Sequence, residues 1–287
     1  MPARFWKFTT DMKTGASKCE IDSECLFYFL KLNGFHRLKD ENSPDSILIR
    51  LESNRVRKVT PDDIKDFLIQ YAYENALDRN IRNIIRNSTR MNKSVLNDVE
   101  PIELDFADHT ASTQVFFFEN ATVEVTPSGI IKQGGRLSDS RHIVWETKII
   151  KQQFKLLENM FEITPDGHGE WDIQIGEHQS NLFRYLINTS RLYWRKELEY
   201  QFEEDSELDK SAYIEANRFT IDGPALSPEE ITEQKLNLVN KIFAIGYMLH
   251  RYKAASRAWA PFAMDDKVGE NNQCNGRSGK SFIFKVL

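Results

Sequence analysis

The residues whose types and order most clearly indicate a chemical function form a Gly-Lys-Ser tripeptide at positions 279–281. In a phosphate-binding loop, glycine lets successive backbone amides turn toward phosphate oxygens, and the lysine places a positive charge on the outer phosphates. The serine hydroxyl ligates the Mg²⁺ that accompanies ATP, and the following helix directs its N-terminal dipole at the same anion. The predicted nucleotide-binding residues are Asn275, Gly276, Arg277, Ser278, Gly279, Lys280 and Ser281, with Ser281 also the predicted Mg²⁺ ligand.

This loop departs from the full G-x-x-x-x-G-K-[ST] pattern at its first position, where Cys274 replaces glycine. The Asn275-Gly276 dipeptide readily adopts left-handed turn geometry and can compensate. A phosphate loop also follows a buried strand, which we predict in "RAWAPFAMD" (257–265), although Pro261 disfavours a strand there. The alternative is a surface turn, because such a tripeptide arises by chance in roughly one chain in ten of this length.

A second candidate site is a series of cations spaced three or four residues apart in "LDRNIRNIIRNSTRMNKS". On one helix these cations would share a face opposite Ile81, Ile84 and Ile85, and a row of cations matches the regular spacing of nucleic-acid phosphates. The alternative is a solvated amphipathic helix with ordinary surface arginines. The predicted DNA-binding residues of this series are Arg79, Arg82, Arg86, Arg90 and Lys93.

The stretch "RLYWRKELEY" alternates cations with aromatic residues, which suits stacking on the bases of a single strand. Arg191, Trp194 and Arg195 are the predicted DNA contacts in this stretch. The alternative is an aromatic side chain facing the core, with arginines that extend along it toward water.

No other set of residues predicts a catalytic or metal site. The stretch "DGHGEWDIQIGEH" contains histidines and acids, but their spacing follows no known ligand scheme and "EWDIQI" is typical of a strand. The three cysteines, Cys19, Cys25 and Cys274, form neither a disulfide framework nor a paired C-x-x-C zinc site.

The composition predicts a folded chain outside the membrane. Of its 287 residues, 40% are hydrophobic and 28% are charged, which is enough apolar material for a real core. No apolar run approaches the ~20 residues of a membrane span, and the N-terminus lacks the features of a signal peptide. A net charge of −5 argues against a surface devoted entirely to nucleic acid, but leaves room for a local basic patch.

The candidate residues lie in three predicted regions. Residues 1–140 read as an α+β region, in which Ser53-Asn54 joins two strands and Thr60 caps a helix. Residues 141–255 read as mainly helical, with helices predicted in 146–161 and 178–202, and with a capping box that opens a long helix at Ser227. Residues 256–287 contain the predicted strand, loop and helix that begin an α/β P-loop motor domain.

The sequence from 233 to 282, with its Asn-Gly-x-x-Gly-Lys-Ser loop, resembles the superfamily III helicases of phage and plasmid primase–helicases. The segments "HIVWETKIIKQQFKLLENMF" and "LINTSRLYWRKELE" are similar to the region that those proteins place before the motor. The resemblance covers mainly residues 140–287.

The resemblance implies an ATP- and Mg²⁺-dependent motor that forms a homo-hexamer and moves along single-stranded DNA during replication, in the cytoplasm of a bacterial host cell. By the order of motifs in that family, the acidic Walker B strand and the arginine finger would lie beyond Leu287. We therefore expect the chain to be the leading portion of a longer protein, able to bind nucleotide weakly without hydrolysing it. The alternatives are an accessory, oligomerisation or DNA-binding module with a degenerate loop, and a truncated P-loop NTPase of another class.

Overall fold

A computed structural model describes residues 4–10, 12–13, 15, 17–39, 46–133, 140–167, 169–177, 179–201, 207–223 and 225–262. The chain divides into two compact units, Met1–Phe154 and Lys155–Leu287. Both helices and sheets are present, so the chain is a mixed α+β protein. The segment 141–154, which the sequence groups with the mainly helical region, packs with the first unit.

The first unit combines ten strands with four helices in its described residues. The strands are β1 (Trp6–Thr10), β2 (Ser17–Ile21), β3 (Phe35–Lys39), β4 (Ser46–Glu52), β5 (Arg55–Lys58), β6 (Pro101–Ile102), β7 (Gln114–Phe118), β8 (Ala121–Thr126), β9 (Gly129–Gln133) and β10 (Val144–Trp145). The helices are α1 (Ser23–Leu32), α2 (Pro61–Glu74), α3 (Arg79–Asn87) and α4 (Lys93–Leu96).

Three sheets organise this unit. β1 and β2 form an antiparallel pair, and β7, β8 and β9 form an antiparallel meander. The largest sheet has the order β10-β5-β4-β3-β6, with antiparallel pairs at its centre and a short parallel strand at each edge. The main core brings α1, α2 and α3 together around fully buried side chains, among them Phe5, Leu26, Leu30, Ile64, Leu68 and Ile85.

Short-range signals in the sequence correctly predict where elements of this unit begin and turn. Thr60 caps α2, with its hydroxyl accepting from the Asp63 amide at 3.2 Å, and the Asp63 carboxylate accepts from the Thr60 amide at 2.7 Å. The predicted Ser53-Asn54 turn joins β4 to β5. Gly34 ends α1 at φ +81°, and a Cβ there would lie 2.1 Å from the Leu51 carbonyl oxygen, so only glycine fits.

The second unit places two strands beside four helices in its described residues. These are β11 (Phe161–Pro165), β12 (Trp171–Ile175), α5 (Asn181–Ser190), α6 (Trp194–Gln201), α7 (Glu207–Ala216) and α8 (Pro228–Leu249). β11 and β12 are antiparallel, and Ile173 of β12 packs in one cluster with Phe183 and Ile187 of α5 and Leu238 of α8.

The predicted capping box opens α8. The Ser227 hydroxyl accepts from the Glu230 amide at 3.3 Å, and the Glu230 carboxylate accepts from the Ser227 amide at 2.9 Å. Proline at position 228 suits the first helical position because its missing N–H would have no partner there. The helix then runs for 22 residues to Leu249.

The helix predicted in 146–161 is wrong. Only Glu146–Lys148 forms a 3₁₀ turn, residues 151–160 are irregular, and the chain enters β11 at Phe161. Contacts from elsewhere replace the helical hydrogen bonds: the Asn120 side chain donates to the Phe154 carbonyl at 3.0 Å and accepts from the Phe154 amide at 2.8 Å. The apolar spacing is helical, but the backbone groups of Ile150 and Phe154 bind tertiary partners instead.

Two further predictions need correction. The helix predicted across 178–202 is divided into α5 and α6, because the Ser190 hydroxyl turns back to the Leu186 carbonyl at 2.8 Å and the Tyr193 amide donates to the Gln234 side chain at 3.0 Å. The strand predicted from residue 257 is absent over 257–262, where the chain has no regular structure. The remainder of that prediction, with the loop and its helix, lies outside the described residues.

Candidate nucleic-acid interface

The predicted nucleotide loop at 275–281 lies outside the described residues, so ATP and Mg²⁺ binding stay predictions from the sequence. Among the residues that the structure describes, no group of three or more His, Cys, Asp or Glu side chains could hold a metal ion. The candidate nucleic-acid contacts, in contrast, all lie in described parts of the chain and can be located individually.

Local sequence explains how α3 presents its cations. The Asp78 carboxylate caps the helix by accepting from the Asn80 amide at 2.7 Å. Ile81 and Ile85 are buried in the core of the first unit, at 5% and 0% exposure. Because residues three and four apart share a helix face, this packing directs Arg79 and Arg86 away from the core, and both are exposed.

An aromatic ring that the sequence reasoning missed completes this surface. The guanidinium carbon of Arg82 lies 4.9 Å from the ring centroid of Tyr73, and that of Arg86 lies 5.9 Å from it. Arg86 also donates from Nη2 to the Tyr73 hydroxyl at 2.9 Å. Tyr73 lies on α2 and is 52% exposed. We call Tyr73, Arg79, Arg82 and Arg86 the α3 cation surface.

The other two cations of this series do not continue the α3 helix. Ser88 and Asn92 interrupt it, because the Ser88 hydroxyl accepts from the Arg90 amide at 3.1 Å and the Asn92 side chain accepts from the Val95 amide at 2.9 Å. Arg90 lies in a 3₁₀ turn and donates to the Ser23 hydroxyl, whereas Lys93 begins α4. The single basic face predicted for the whole stretch is therefore wrong, although both residues are exposed.

Arg191 lies in the interior of the second unit. Its side chain is 4% exposed, and its Nη2 lies 3.0 Å from each carboxylate oxygen of Glu197, whose side chain is 0% exposed. A second donor, Nη1, reaches the Asn217 carbonyl at 2.6 Å, and the guanidinium carbon lies 3.6 Å from the Trp194 ring centroid. These contacts tie the end of α5 to α6 and to the loop after α7.

The surroundings of Glu197 are adapted to its burial. The Tyr213 hydroxyl donates to its carboxylate at 2.7 Å, and burial together with this carboxylate raises the pKa of Tyr213 to about 12. A Cβ on Gly223 would lie 2.4 Å from a carboxylate oxygen of Glu197, so the Glu197 carboxylate fits only because residue 223 is glycine. Arg191 and Tyr213 therefore donate to the Glu197 carboxylate, and Gly223 leaves space for it.

Trp194 and Arg195 differ from Arg191 in their access to solvent. Trp194 is half-buried, stacks on Tyr213 with ring centroids 6.2 Å apart, and lines a small pocket of about 250 Å³. Arg195 is exposed on α6. The three predicted contacts therefore do not present one stacking surface, because Glu197 holds Arg191 in the interior.

A second cation of this unit, half-buried, has a carbonyl and a hydroxyl as its acceptors. Lys241 of α8 donates from Nζ to the Thr189 carbonyl at 2.5 Å and to the Ser190 hydroxyl at 3.0 Å. A lysine at this place satisfies carbonyls at the C-terminal end of α5, which carries the negative end of the helix dipole. Burial lowers the pKa of Lys241 from 10.5 to about 8.

A pocket of about 460 Å³ in the second unit does not select one sign of charge. It lies between residues 155–160 and the start of α5. Lys155 and Arg184 line it together with Glu158 and Glu177. Mixed charges of this kind give no preference for phosphate, so the α3 cation surface is the stronger candidate for a polyanion.

No protein-family model, curated protein or solved structure matches this chain. In the described part of the chain, no helix is both long and apolar enough to span a membrane. The case for a function therefore rests on the residues of the chain itself.

Proposed function

We propose that this chain is the leading portion of an ATP-dependent replicative DNA helicase, with a nucleotide loop at 275–281 and a surface for single-stranded DNA in its first unit. The observation that carries the proposal is the Asn-Gly-x-x-Gly-Lys-Ser order at 275–281. Lys280 supplies the charge for the outer phosphates and Ser281 the hydroxyl for Mg²⁺. Assembly as a homo-hexamer belongs to the same proposal.

The α3 cation surface supports the DNA-binding part of this proposal. Arg79 and Arg86 are exposed, and Arg86 is oriented by its hydrogen bond to Tyr73. A guanidinium binds phosphate with two parallel donors, and an exposed tyrosine ring offers a face to an unpaired base. Contacts to phosphate carry no sequence information, which suits a protein that moves along DNA of any sequence.

Nucleotide binding tests the proposal directly. The 287-residue chain should bind Mg²⁺–ATP, and Lys280→Ala should weaken binding ten-fold or more, because a charge-assisted contact to phosphate is lost. Titration with a fluorescent ATP analogue measures both affinities. The matched control is Lys285→Ala, which removes an equal charge near the loop and should leave the affinity unchanged. Equal loss in the two variants, or no loss in either, would contradict a phosphate loop.

A DNA-binding module that never holds ATP is the second candidate function. Two observations favour it: Cys274 occupies the first glycine position, and no strand forms over 257–262 before the loop. This module would bind oligonucleotides through the α3 cation surface and show no dependence of ATP binding on Lys280. The same pair of variants therefore separates the two functions.

A further inference from the structure

The C-terminal end of α8 carries a group of aromatic rings that the core does not use. Phe243 is 54% exposed and Trp259 is 60% exposed, while Leu238 and Val239 on another side of the helix are buried against α5 and β12. The rings of Phe243, Tyr247 and Trp259 lie with centroids 5.8 to 6.3 Å apart. We call these three residues the α8 aromatic surface.

Hydrogen bonds position Tyr247 and the backbone of Trp259. The Trp259 backbone amide donates to the Tyr247 hydroxyl at 2.8 Å, which brings the chain after α8 back onto the helix. Lys253 donates to the Tyr247 carbonyl at 2.7 Å, and its ammonium lies 4.2 Å from the Tyr247 ring centroid. These contacts fix the Tyr247 ring and the Trp259 backbone before any ligand arrives, which lowers the conformational entropy lost on binding.

The charge of this part of the chain favours an anionic partner. Residues 234–262 contain no Asp or Glu, in a chain whose net charge is −5. Three cations of this segment, Arg251, Lys253 and Arg257, are exposed and follow α8 directly. Cations next to aromatic faces neutralise phosphates while the rings receive bases.

We propose that the α8 aromatic surface binds single-stranded nucleic acid by stacking unpaired bases on Trp259 and Phe243, with phosphates beside Arg251 and Arg257. A duplex offers its base faces only at its ends, so this surface selects unpaired strands. The inference rests on the proposed function for the identity of the strand as DNA. It adds a binding site on the second unit, formed by residues other than those of the nucleotide loop and of the α3 cation surface.

Binding of a fluorescein-labelled 20-mer of deoxythymidine by the 287-residue chain, measured by anisotropy without nucleotide, tests this site. Trp259→Ala should weaken binding about 5- to 150-fold, the range expected for loss of one base–aromatic stack. Trp259→Phe should retain most of the affinity because it keeps a ring. The matched control is Trp171→Ala, which removes another tryptophan of the second unit that is 52% exposed, and it should bind like the unaltered chain.

Three results would overturn the site. One is equal weakening by Trp259→Ala and Trp171→Ala. A second is equal affinity for the single strand and for a blunt duplex of the same length. In the third, Trp259→Ala alters the oligomeric state seen by analytical ultracentrifugation and leaves oligonucleotide affinity unchanged, which would make the surface an interface between copies. Because these titrations contain no ATP, they stand whether or not Lys280→Ala affects nucleotide binding.

Discussion

Arginine lies over an aromatic ring in each of the two units, but with different access to water. In the first unit, Arg82 and Arg86 lie over Tyr73, which is 52% exposed. In the second unit, Arg191 lies over Trp194 with a side chain only 4% exposed, and it binds both carboxylate oxygens of Glu197. Contact between an arginine and a ring is common to both arrangements. Burial of the arginine and its pairing with a carboxylate are found only at Arg191.

The comparison shows that the aromatic neighbour does not determine what an arginine does. A buried guanidinium has lost its hydration, so it needs a carboxylate and further acceptors to be tolerated. A guanidinium at the surface keeps its water, and its charge remains available to a phosphate. Lys241 is intermediate: it is largely buried, and its acceptors in the interior are a carbonyl and a hydroxyl rather than a carboxylate.

The largest effect should come from breaking the buried pair. Glu197→Gln leaves the charge of Arg191 uncompensated in the interior, and removal of one partner of such a pair costs about 3–5 kcal/mol in the free energy of unfolding. Urea unfolding followed by tryptophan fluorescence measures this loss. The control is Glu215→Gln at the exposed pair with Arg218, 3.7 Å apart, which should cost less than about 1 kcal/mol. Similar losses in the two variants would contradict the contrast between interior and surface.

An intermediate effect should come from the pH dependence of Lys241. Because its pKa is about 8 in the folded state and 10.5 is the ordinary value, the unfolded chain binds more protons between these two pH values. Stability due to this group is therefore lowest below pH 8 and rises with pH. Between pH 7.5 and 9.5, the unaltered chain should gain roughly 1 kcal/mol relative to Lys241→Met, after allowance for screening by solvent.

The control for this measurement is Lys210→Met, which removes an exposed lysine of the same unit. It should show the same pH dependence as the unaltered chain, since an exposed ammonium keeps its hydration in both states. If the free energy of unfolding of Lys241→Met changes with pH between 7.5 and 9.5 as that of the unaltered chain does, then Lys241 is not an interior cation without a paired carboxylate.

The smallest effect on stability should come from the α3 cation surface. Arg86→Ala removes one hydrogen bond and one cation–π contact at an exposed site, so the free energy of unfolding should fall by less than about 1 kcal/mol. Oligonucleotide binding should respond more clearly: the slope of log affinity against log salt should decrease in magnitude by about 0.7, as for one released counterion on a single strand. Arg141→Ala, an exposed arginine outside this surface, is the control. An unchanged slope for Arg86→Ala would mean that Arg86 remains in water and does not contact the phosphates of the oligonucleotide.

Sequence reasoning succeeded where both partners of an interaction lie within a few residues. Thr60 with Asp63, and Ser227 with Glu230, are reciprocal pairs three residues apart, so the start of α2 and of α8 could be predicted without the rest of the fold. The turn at Ser53 depends on equally local geometry.

It failed where a distant residue completes the backbone hydrogen bonds. The apolar spacing in 146–161 is helical, but Asn120, 34 residues earlier in the chain, binds the backbone of Phe154. Likewise, the Gln234 side chain accepts from the Tyr193 amide at the point where a single helix was expected. Neither partner can be identified from the local pattern, because the pattern reports only which side chains avoid water.

In the candidate site, too, local spacing could be predicted from the sequence and contacts between distant residues could not. The spacing of Arg79, Arg82 and Arg86 identified them as cations on one helix face, while Tyr73 became their neighbour only through the packing of α2 against α3. Arg191 and Trp194 were identified as a cation beside an aromatic ring, but nothing near them in sequence marks Glu197 as buried. The α8 aromatic surface depends on Trp259 returning to Tyr247, a contact that spans twelve residues.

By itself, the sequence determined the N-terminal caps of α2 and α8 and the turn at Ser53-Asn54. It also determined where charged and aromatic side chains occur along the chain. It also supplies the phosphate-loop motif on which the proposed ATP binding depends. Tertiary structure alone decided which cations are buried and which remain in water. The physical reason is that the cost of a charge depends on its solvation and its partners, and both are set by residues that only the fold brings together.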